Sequence, residues 1–209
     1  MADLPPGPPD LARRGDVVSP VVWAVAGAGL LLVVLALASY NRFVRDAQLI
    51  DNSWSNVDTE LRRRYDLIPN LVETVQGYAA HERTTFEAVT EARTRAMRSD
   101  GNAAAQSADE NVLVGALKSL LAVTEAYPDL KASDRFAELQ EELIITENRL
   151  QAARRIFNGN VRDYNTRVEK VPSNLIAKIS GFRERTYFEV DAAVRDAGAP
   201  QVRIGRPTA

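Results

Sequence analysis

The feature that most limits how this chain can fold is an uncharged apolar segment near its N-terminus. No charged residue occurs between Asp16 and Arg42, where the sequence is VVSPVVWAVAGAGLLLVVLALASYN. A helix from Ser19 to Tyr40 would be roughly 33 Å long, which is enough to cross the hydrocarbon core of a bilayer. The segment also exceeds the roughly 7 to 15 apolar residues of a secretory signal peptide. The sequence therefore predicts a single transmembrane helix over residues 19–40.

Four residues near the ends of this predicted helix are expected to anchor it at the membrane surface. Trp23 and Tyr40 lie where amphipathic rings prefer the boundary between lipid and water. Arg42 and Arg45 follow where cations can meet the lipid head groups. The lipid bilayer is therefore one predicted partner. Positive charge alone does not fix the orientation, because two arginines also precede the span at positions 13 and 14.

The remaining chain divides into two loose ends and one helical body. Residues 1–18 are rich in proline, and they are predicted to be disordered, as are residues 191–209. The dominance of alanine, leucine, glutamate and arginine favours long helices in residues 41–190. The net charge of −2 gives no indication of nucleic-acid binding. The absence of cysteine excludes disulfides, thiolate metal sites and cysteine nucleophiles.

Apolar residues recur at steps of three and four throughout this body. A second stripe runs from Ile68 to Ala96, a third from Leu113 to Thr124 and a fourth from Phe136 to Val168. The first stripe directly follows the membrane segment and consists of Phe43, Ala47, Ile50, Trp54, Val57 and Leu61. Isolated amphipathic helices are unstable in water, so these faces must pack together. The predicted fold is all-α: a single N-terminal transmembrane helix followed by an up-and-down four-helix bundle with long helices.

Capping and breaking residues set the predicted boundaries of the middle helices. The second stripe is expected to end near Arg98, before the polar, glycine-containing stretch RSDGNAAAQ. Ser107 and Glu110 form an S-x-x-E capping box for a short third helix. That helix is expected to stop before Pro128.

The fourth helix is predicted to be the longest one in the bundle. Ser133 or Asp134 can cap it, a near-heptad spacing continues for about 36 residues, and Pro172 ends it. One or two further helical turns are expected before Gly181, which suits a left-handed cap. The aromatic residues that follow are predicted to cover an end of the core: Phe182, Tyr187 and Phe188.

The segment RRRYDLIPNLVETVQGYAAHE combines charge, aromatic rings, a proline and the only histidine of the chain. Proline inside a helix costs about 3 kcal/mol or more and disfavours helical geometry at Ile68, so a turn at residues 66–70 is favoured. The apolar spacing barely loses register across Pro69, so a kinked continuous helix is the alternative. The large apolar side chains of the segment are interpreted as core residues: Tyr65, Ile68, Leu71, Val72, Val75 and Tyr78.

The basic runs of the chain are predicted to be solvated helix faces. Arg62, Arg63 and Arg64 could bind an anion, as could the arginines at positions 154 and 155. Acidic residues such as Asp58 and Glu60 lie close in sequence, however, and this favours exposed ion pairs over an anion site.

The sequence contains no arrangement typical of catalysis or metal binding. It has one histidine, so neither an H-E-x-x-H zinc motif nor paired E-x-x-H di-iron motifs are present. Phosphate-binding loops and a G-x-S-x-G turn are also absent. We therefore predict no catalytic, cofactor-binding or metal-binding residue and no small-molecule substrate. The nearest approach to a catalytic cluster consists of Asp66, Glu73, Glu82 and His81, and the histidine is expected to be solvated on a helix flank.

Several longer phrases of the sequence resemble the LemA family of bacterial proteins. These are YDLIPNLVETVQGYAAHE, YPDLKAS, ENRLQAARR and the late YFE, and the likeness extends from about Tyr40 to Glu189. The resemblance implies one N-terminal membrane helix and a helical bundle. It also implies the plasma membrane, with the N-terminus outside and the bundle in the cytoplasm, and it supplies no catalytic residues. The proline-rich leader and the segment GFRERT depart from the commoner pattern.

The function predicted from these features is that of a membrane-anchored helical interaction or scaffold module. Its bundle would present a helical face to a protein partner or to a second copy of the chain. A lipid-sensing or membrane-shaping protein that uses Arg42 and Arg45 on anionic lipid is the alternative. An enzyme is the minor alternative, because the titratable groups do not converge in sequence as a catalytic site requires.

Overall fold

The computed structural model describes residues 20–99 and 102–189, and this part of the chain forms six helices and no strand. The helices are α1 (Pro20–Gln76), α2 (Arg83–Met97), α3 (Ala103–Thr124), α4 (Pro128–Lys131), α5 (Asp134–Glu169) and α6 (Ser173–Ser180). The predicted disordered ends, residues 1–18 and 191–209, lie outside the described residues. The predicted all-α fold is confirmed.

The four long helices of the bundle run alternately up and down. α1 and α5 form the most extensive pair, and α2 and α3 form the second. α1 and α5 are antiparallel, because Asp46 pairs with Arg167 whereas Arg64, farther along α1, pairs with Glu147. The short helices α4 and α6 lie at opposite ends of α5. This arrangement is the predicted up-and-down four-helix bundle.

α1 joins the apolar segment to the bundle without interruption over 57 residues. Its N-terminal part is long and apolar enough to cross a membrane, and none of its most apolar window is buried within the protein. From Phe43 onward, one face of the same helix is buried in the core. The predicted boundary between the span at residues 19–40 and the bundle at residues 41–190 therefore lies inside a single helix.

Pro69 lies inside α1, so the predicted turn at residues 66–70 is wrong and the helix continues through the proline. A proline leaves the carbonyl four residues earlier without its usual N–H donor. That carbonyl belongs to Tyr65, and Arg93 of α2 donates to it from Nε at 2.7 Å. Ile68 is buried next to the proline. A contact between helices therefore replaces the hydrogen bond that the proline removes.

The turn expected at the proline occurs at residues 77–82 instead, between α1 and α2. Gly77 directly follows α1, and glycine is one of the weakest helix formers. The second apolar stripe is thus divided between two helices, although its predicted end near Arg98 is confirmed. His81 is exposed in this turn rather than on a helix flank. Tyr78 is 46% exposed, so its predicted place in the core is wrong.

α3 begins before the predicted capping box. Asn102 is its N-cap, and the side chain accepts a hydrogen bond from the backbone N–H of Ala104. Ser107 and Glu110 therefore lie inside the helix, where both are buried. Asparagine is as favoured as serine at the N-cap position, so Asn102 can cap the helix five residues before Ser107. The predicted end of α3 before Pro128 is confirmed.

The C-terminal part of the bundle agrees with its prediction except at Phe188. α5 follows Ser133 and extends over 36 residues, and Gly181 after α6 has a left-handed φ of 76°. Beyond it, Phe182 covers the end of the core at Phe43 as predicted, and Tyr187 packs against the core. The prediction is wrong for Phe188, which is buried farther along the bundle, beside Trp54.

Two asparagines of α5 hold the segment of residues 182–189 against the bundle. The side chain of Asn158 donates to the Phe188 carbonyl at 3.0 Å and accepts from its N–H at 2.9 Å. Asn165 makes the same pair of bonds with Arg185, at 2.9 Å each. The chain therefore runs back along α5 after α6, away from the apolar end of α1.

Candidate functional site: a buried polar network and an exposed groove

A charged pair lies at the centre of the bundle. Arg64 of α1 is 2% exposed, Glu110 of α3 is 1% exposed, and their side chains form an ion pair. Arg64 also contacts Glu147 of α5, with 3.0 Å between Nη1 and Oε2. One guanidinium therefore links three helices. Because a buried charge is tolerated only when it is paired and hydrogen-bonded, this contact constrains how α1, α3 and α5 pack.

Two uncharged side chains complete this network. The Tyr65 hydroxyl donates to Glu110. The side-chain amide of Gln106 lies 3.0 Å from the Tyr65 hydroxyl, 3.1 Å from the Ala96 carbonyl and 3.3 Å from Glu110 Oε1. Gln106 thus connects α3 to the end of α2. We call Arg64, Tyr65, Gln106, Glu110 and Glu147 the polar network.

Burial raises the pKa of Tyr65 to about 12. The main cause is the loss of hydration of the phenolate, while the neighbouring charge of Arg64 acts in the opposite direction. The hydroxyl therefore remains protonated at neutral pH, and it can keep donating its hydrogen bond to Glu110. This protonation state fits a structural role for the Tyr65 hydroxyl in the core.

The polar network was missed in the sequence, although two residues carry a signal for it. Arg64 shares the helical spacing of its buried neighbours Val57, Leu61 and Ile68, and Glu110 shares that of Leu113, Leu117 and Leu120. Two opposite charges at core positions of two stripes indicate a buried ion pair. A sequence alone does not show which stripes face one another.

The structure divides the predicted basic run of α1 into two environments. Arg62 forms an exposed ion pair with Asp58, with 2.8 Å between Nε and Oδ2, and Arg63 lies 3.9 Å from Glu60. The prediction of a solvated face with ion pairs is confirmed for these two residues. The prediction is wrong for Arg64, which is buried because position 64 lies on the side of α1 that faces the core.

The residues considered as a minimal catalytic cluster do not form a buried site. Asp66, Glu73 and His81 are exposed, and Glu82 is only partly buried. Within residues 20–99 and 102–189, no group of three or more histidine, cysteine, aspartate and glutamate side chains could hold a metal ion.

The four predicted membrane anchors are all exposed on α1. Tyr40 packs its ring against Phe182, with 5.5 Å between the ring centroids. Arg45 lies 3.8 Å from Asp46. The contact of Trp23, Tyr40, Arg42 and Arg45 with lipid stays a prediction.

A shallow groove of about 230 Å³ runs between α1 and α5 on the outside of the bundle. Asn160 of α5 lies at one end and donates to the Leu49 carbonyl at 3.3 Å and to Ser53 Oγ at 3.1 Å. Ile156 lines the groove and is 59% exposed, and Leu49, one helical turn before Ser53 on α1, is 47% exposed. The lining residues are Ser53, Asn56, Thr59, Glu60, Arg149, Ala153 and Ile156. We call this surface, together with Leu49, the α1–α5 groove.

Comparison with known proteins identifies the family. The model of the LemA family matches residues 53–203, which is most of the chain. The chain belongs to the LemA family. The matched LemA region contains the whole polar network and the α1–α5 groove except Leu49, which precedes it, as do the four predicted membrane anchors.

Three individual relatives of this LemA-family chain each share about a quarter of the aligned residues with it. Magnetosome protein MamQ 2 of Paramagnetospirillum magneticum is 27% identical over 201 residues, covering 84% of this chain and 74% of that protein. Magnetosome protein MamQ of Magnetospirillum gryphiswaldense is 26% identical over 181 residues, covering 75% and 66%. Protein LemA of Metamycoplasma hominis is 23% identical over 138 residues, covering 66% and 63%.

Proposed function

We propose that this LemA-family protein is a membrane-anchored, non-catalytic scaffold that pairs with a second copy of itself through the α1–α5 groove. The observation that carries the proposal is a pair of exposed apolar side chains at the groove: Ile156 lines it, and Leu49 lies one helical turn before the lining residue Ser53. Accessible apolar side chains on such a surface, rimmed by polar groups, are typical of an interaction site. Arg64 and Glu110, the most deeply buried charged residues, form an ion pair with each other, and this favours a structural role for both.

The charges of the groove fit a second copy better than an unrelated helix. Two copies anchored side by side in one bilayer are most simply related by a two-fold axis along the membrane normal, which brings residues of equal height together. Because Arg64 lies beside Glu147, the register places Glu60 and Arg149 within about one helical turn of the same height. Arg149 of one copy can then pair with Glu60 of the other.

Glu60 has room for this additional partner. Its Oε2 atom is buried and accepts no hydrogen bond within the described ranges 20–99 and 102–189. Its nearest ion-pair partner, Arg63, lies at 3.9 Å, which is long for a salt bridge. An arginine from a second copy would approach the other oxygen, Oε1, because the buried Oε2 is out of its reach.

Cross-linking through a single cysteine tests the pairing, because the chain contains no cysteine of its own. In native membranes, Ile156→Cys is expected to give a covalent dimer with a short bismaleimide reagent, since the two copies of this position would lie near the two-fold axis. The matched control is Gln151→Cys, which is exposed on the same helix but points about 140° away. It is expected to remain monomeric, and equal yields at the two positions would contradict the proposed surface.

A charge exchange in the Ile156→Cys background separates specific pairing from random collision. Arg149→Glu is expected to lower the dimer yield several-fold, because it places like charges opposite each other. Adding Glu60→Arg is expected to restore the yield, because the pair is then re-formed with reversed signs. If the single and double variants cross-link equally well, the two residues do not meet across an interface.

The proposed location is the plasma membrane, with the N-terminus outside and the bundle in the cytoplasm. The family resemblance supports this orientation. The arginines that flank the span do not decide it, because two lie on each side. A membrane-impermeant maleimide is expected to leave Gln151→Cys unmodified in intact cells and to modify it after permeabilisation. Modification in intact cells would place the bundle on the opposite side.

A further inference from the structure

α6 carries an apolar stripe that faces away from the bundle. Val171, Leu175 and Ile179 are 72%, 58% and 84% exposed. Leu175 and Ile179 are one helical turn apart and lie on one side of α6, and Val171 is exposed in the turn that precedes the helix. Ala177, on the opposite side, is buried against the core. The exposed stripe is therefore not needed to attach α6 to the bundle.

The position of α6 is fixed by contacts with both α1 and α5. Phe182, just after α6, stacks on Phe43 with 4.9 Å between ring centroids and also lies 5.5 Å from the ring of Tyr40. Ser173 at the start of α6 donates to the carbonyls of Arg167 and Lys170, at 2.8 Å each. Both ends of α6 are thus held at the end of the bundle from which the apolar part of α1 emerges.

The register of α1 and α5 gives the height of the stripe. Asp46 pairs with Arg167, and the rings of Phe43 and Tyr164 meet at 5.9 Å. Because the two helices are antiparallel, each residue farther along α5 corresponds to one residue back along α1. The two pairs place Glu169, the last residue of α5, level with about residues 38 to 44 of α1, where the predicted membrane span ends, and Val171 follows two residues later. The stripe therefore begins at the height expected for the surface of the bilayer.

Charge at this end of the bundle favours a phospholipid surface. Arg42, Arg45, Lys170, Lys178 and Arg183 are exposed there, and they outnumber the exposed acidic residues Glu169 and Glu184. Apolar residues on one side of a short helix, with cations around them, are typical of a helix that lies in the plane of the head groups.

We propose that α6 is an interfacial helix whose Val171, Leu175 and Ile179 side chains enter the boundary between head groups and acyl chains of the bilayer that α1 crosses. The bundle is then attached to the membrane at two points, the span and α6. The occupant of the exposed stripe is lipid, and the proposal does not depend on pairing through the α1–α5 groove.

Fluorescence of a label at α6 tests this contact in the full-length protein. Ile179→Cys, carrying an environment-sensitive nitrobenzoxadiazole label, is reconstituted in vesicles of phosphatidylcholine and phosphatidylglycerol. We expect blue-shifted emission and strong quenching by lipids with a nitroxide on the acyl chain, because interfacial helices bury their apolar face by about 5–10 Å. A label at Gln151→Cys, which is exposed midway along α5, is expected to show neither effect.

A second variant separates lipid contact from mere proximity. The label is placed at Lys178→Cys, and Leu175→Ser and Ile179→Ser are added together. These positions are exposed, so the core remains intact, which the emission of Trp54 in a Trp23→Phe background verifies. Quenching at position 178 is expected to be several-fold weaker than in the labelled Lys178→Cys protein that keeps Leu175 and Ile179.

Three results would overturn the proposal. The first is water-like, unquenched emission at position 179. The second is quenching at position 178 that does not change when both apolar residues are replaced. The third is shielding of position 179 that the nitroxide lipids do not quench and that grows with the density of protein in the vesicles, because this would show that a second copy covers α6.

Discussion

Replacing Glu110 by leucine is expected to lower the free energy of unfolding of the bundle by about 3 to 5 kcal/mol, because Arg64 would keep its charge in the core without its buried partner. Arg64 retains its contact with Glu147, whose side chain is 34% exposed and therefore compensates the charge poorly. The loss of a hydrogen-bond acceptor for Tyr65 acts in the same direction.

The matched controls for this variant use the other members of the polar network. Glu147→Gln is expected to cost less than about 1 kcal/mol, because that carboxylate is partly solvated. Arg64→Met combined with Glu110→Leu is expected to recover most of the lost stability, since apolar side chains can replace a buried ion pair at little cost. If Glu110→Leu costs no more than Glu147→Gln, the pair at the centre of the bundle is not desolvated.

The measurement can be made on the full chain in detergent micelles. Of the two tryptophans, Trp54 packs against Phe157 at 5.2 Å between ring centroids and against Phe188 at 5.7 Å. Its emission should change when the bundle unfolds in urea. A Trp23→Phe background removes the signal from the apolar segment, so the transition reports on the bundle alone.

Replacing Arg93 by methionine is expected to cost about 1.5 to 3 kcal/mol, because the Tyr65 carbonyl would lose the charged donor that replaces the missing N–H of Pro69. The same urea titration measures this loss. Arg95→Met is the control on the same helix, since Arg95 pairs with Asp109 at the surface and its side chain is 57% exposed. That variant is expected to cost less than about 1 kcal/mol.

The proline itself provides the decisive comparison. In a Pro69→Ala background, the backbone N–H of residue 69 can donate to the Tyr65 carbonyl, so Arg93→Met is expected to cost less than about 1 kcal/mol. An equal cost of Arg93→Met in both backgrounds would mean that Arg93 stabilises the bundle by some other contact.

The sequence predicted the features that depend on local spacing and composition. The apolar segment of α1, the 36 residues of α5 and the left-handed Gly181 all follow from patterns within a few turns of each residue. The errors occur where a distant residue decides the outcome. Pro69 is tolerated because Arg93 lies beside Tyr65, and the sequence does not show that contact.

The candidate sites were harder to predict than the fold for the same reason. Glu110 was interpreted as a capping residue because its spacing from Ser107 fits a capping box, yet its partner is 46 positions earlier in the chain, at residue 64. The groove and the exposed stripe of α6 also depend on how helices pack. Leu49, Ile156 and Ile179 belong to none of the predicted stripes, and only the structure shows that they are exposed on its surface.

The continuity of α1 has a mechanical consequence. From Tyr40 to Gln76 the helix extends for roughly 54 Å without a break, so the apolar segment and the far end of the bundle belong to one continuous helix. If a change in bilayer thickness tilted the span by about 10°, the far end would shift sideways by roughly 9 Å. Thickness of the lipid layer would thereby be converted into a displacement of the turn between α1 and α2.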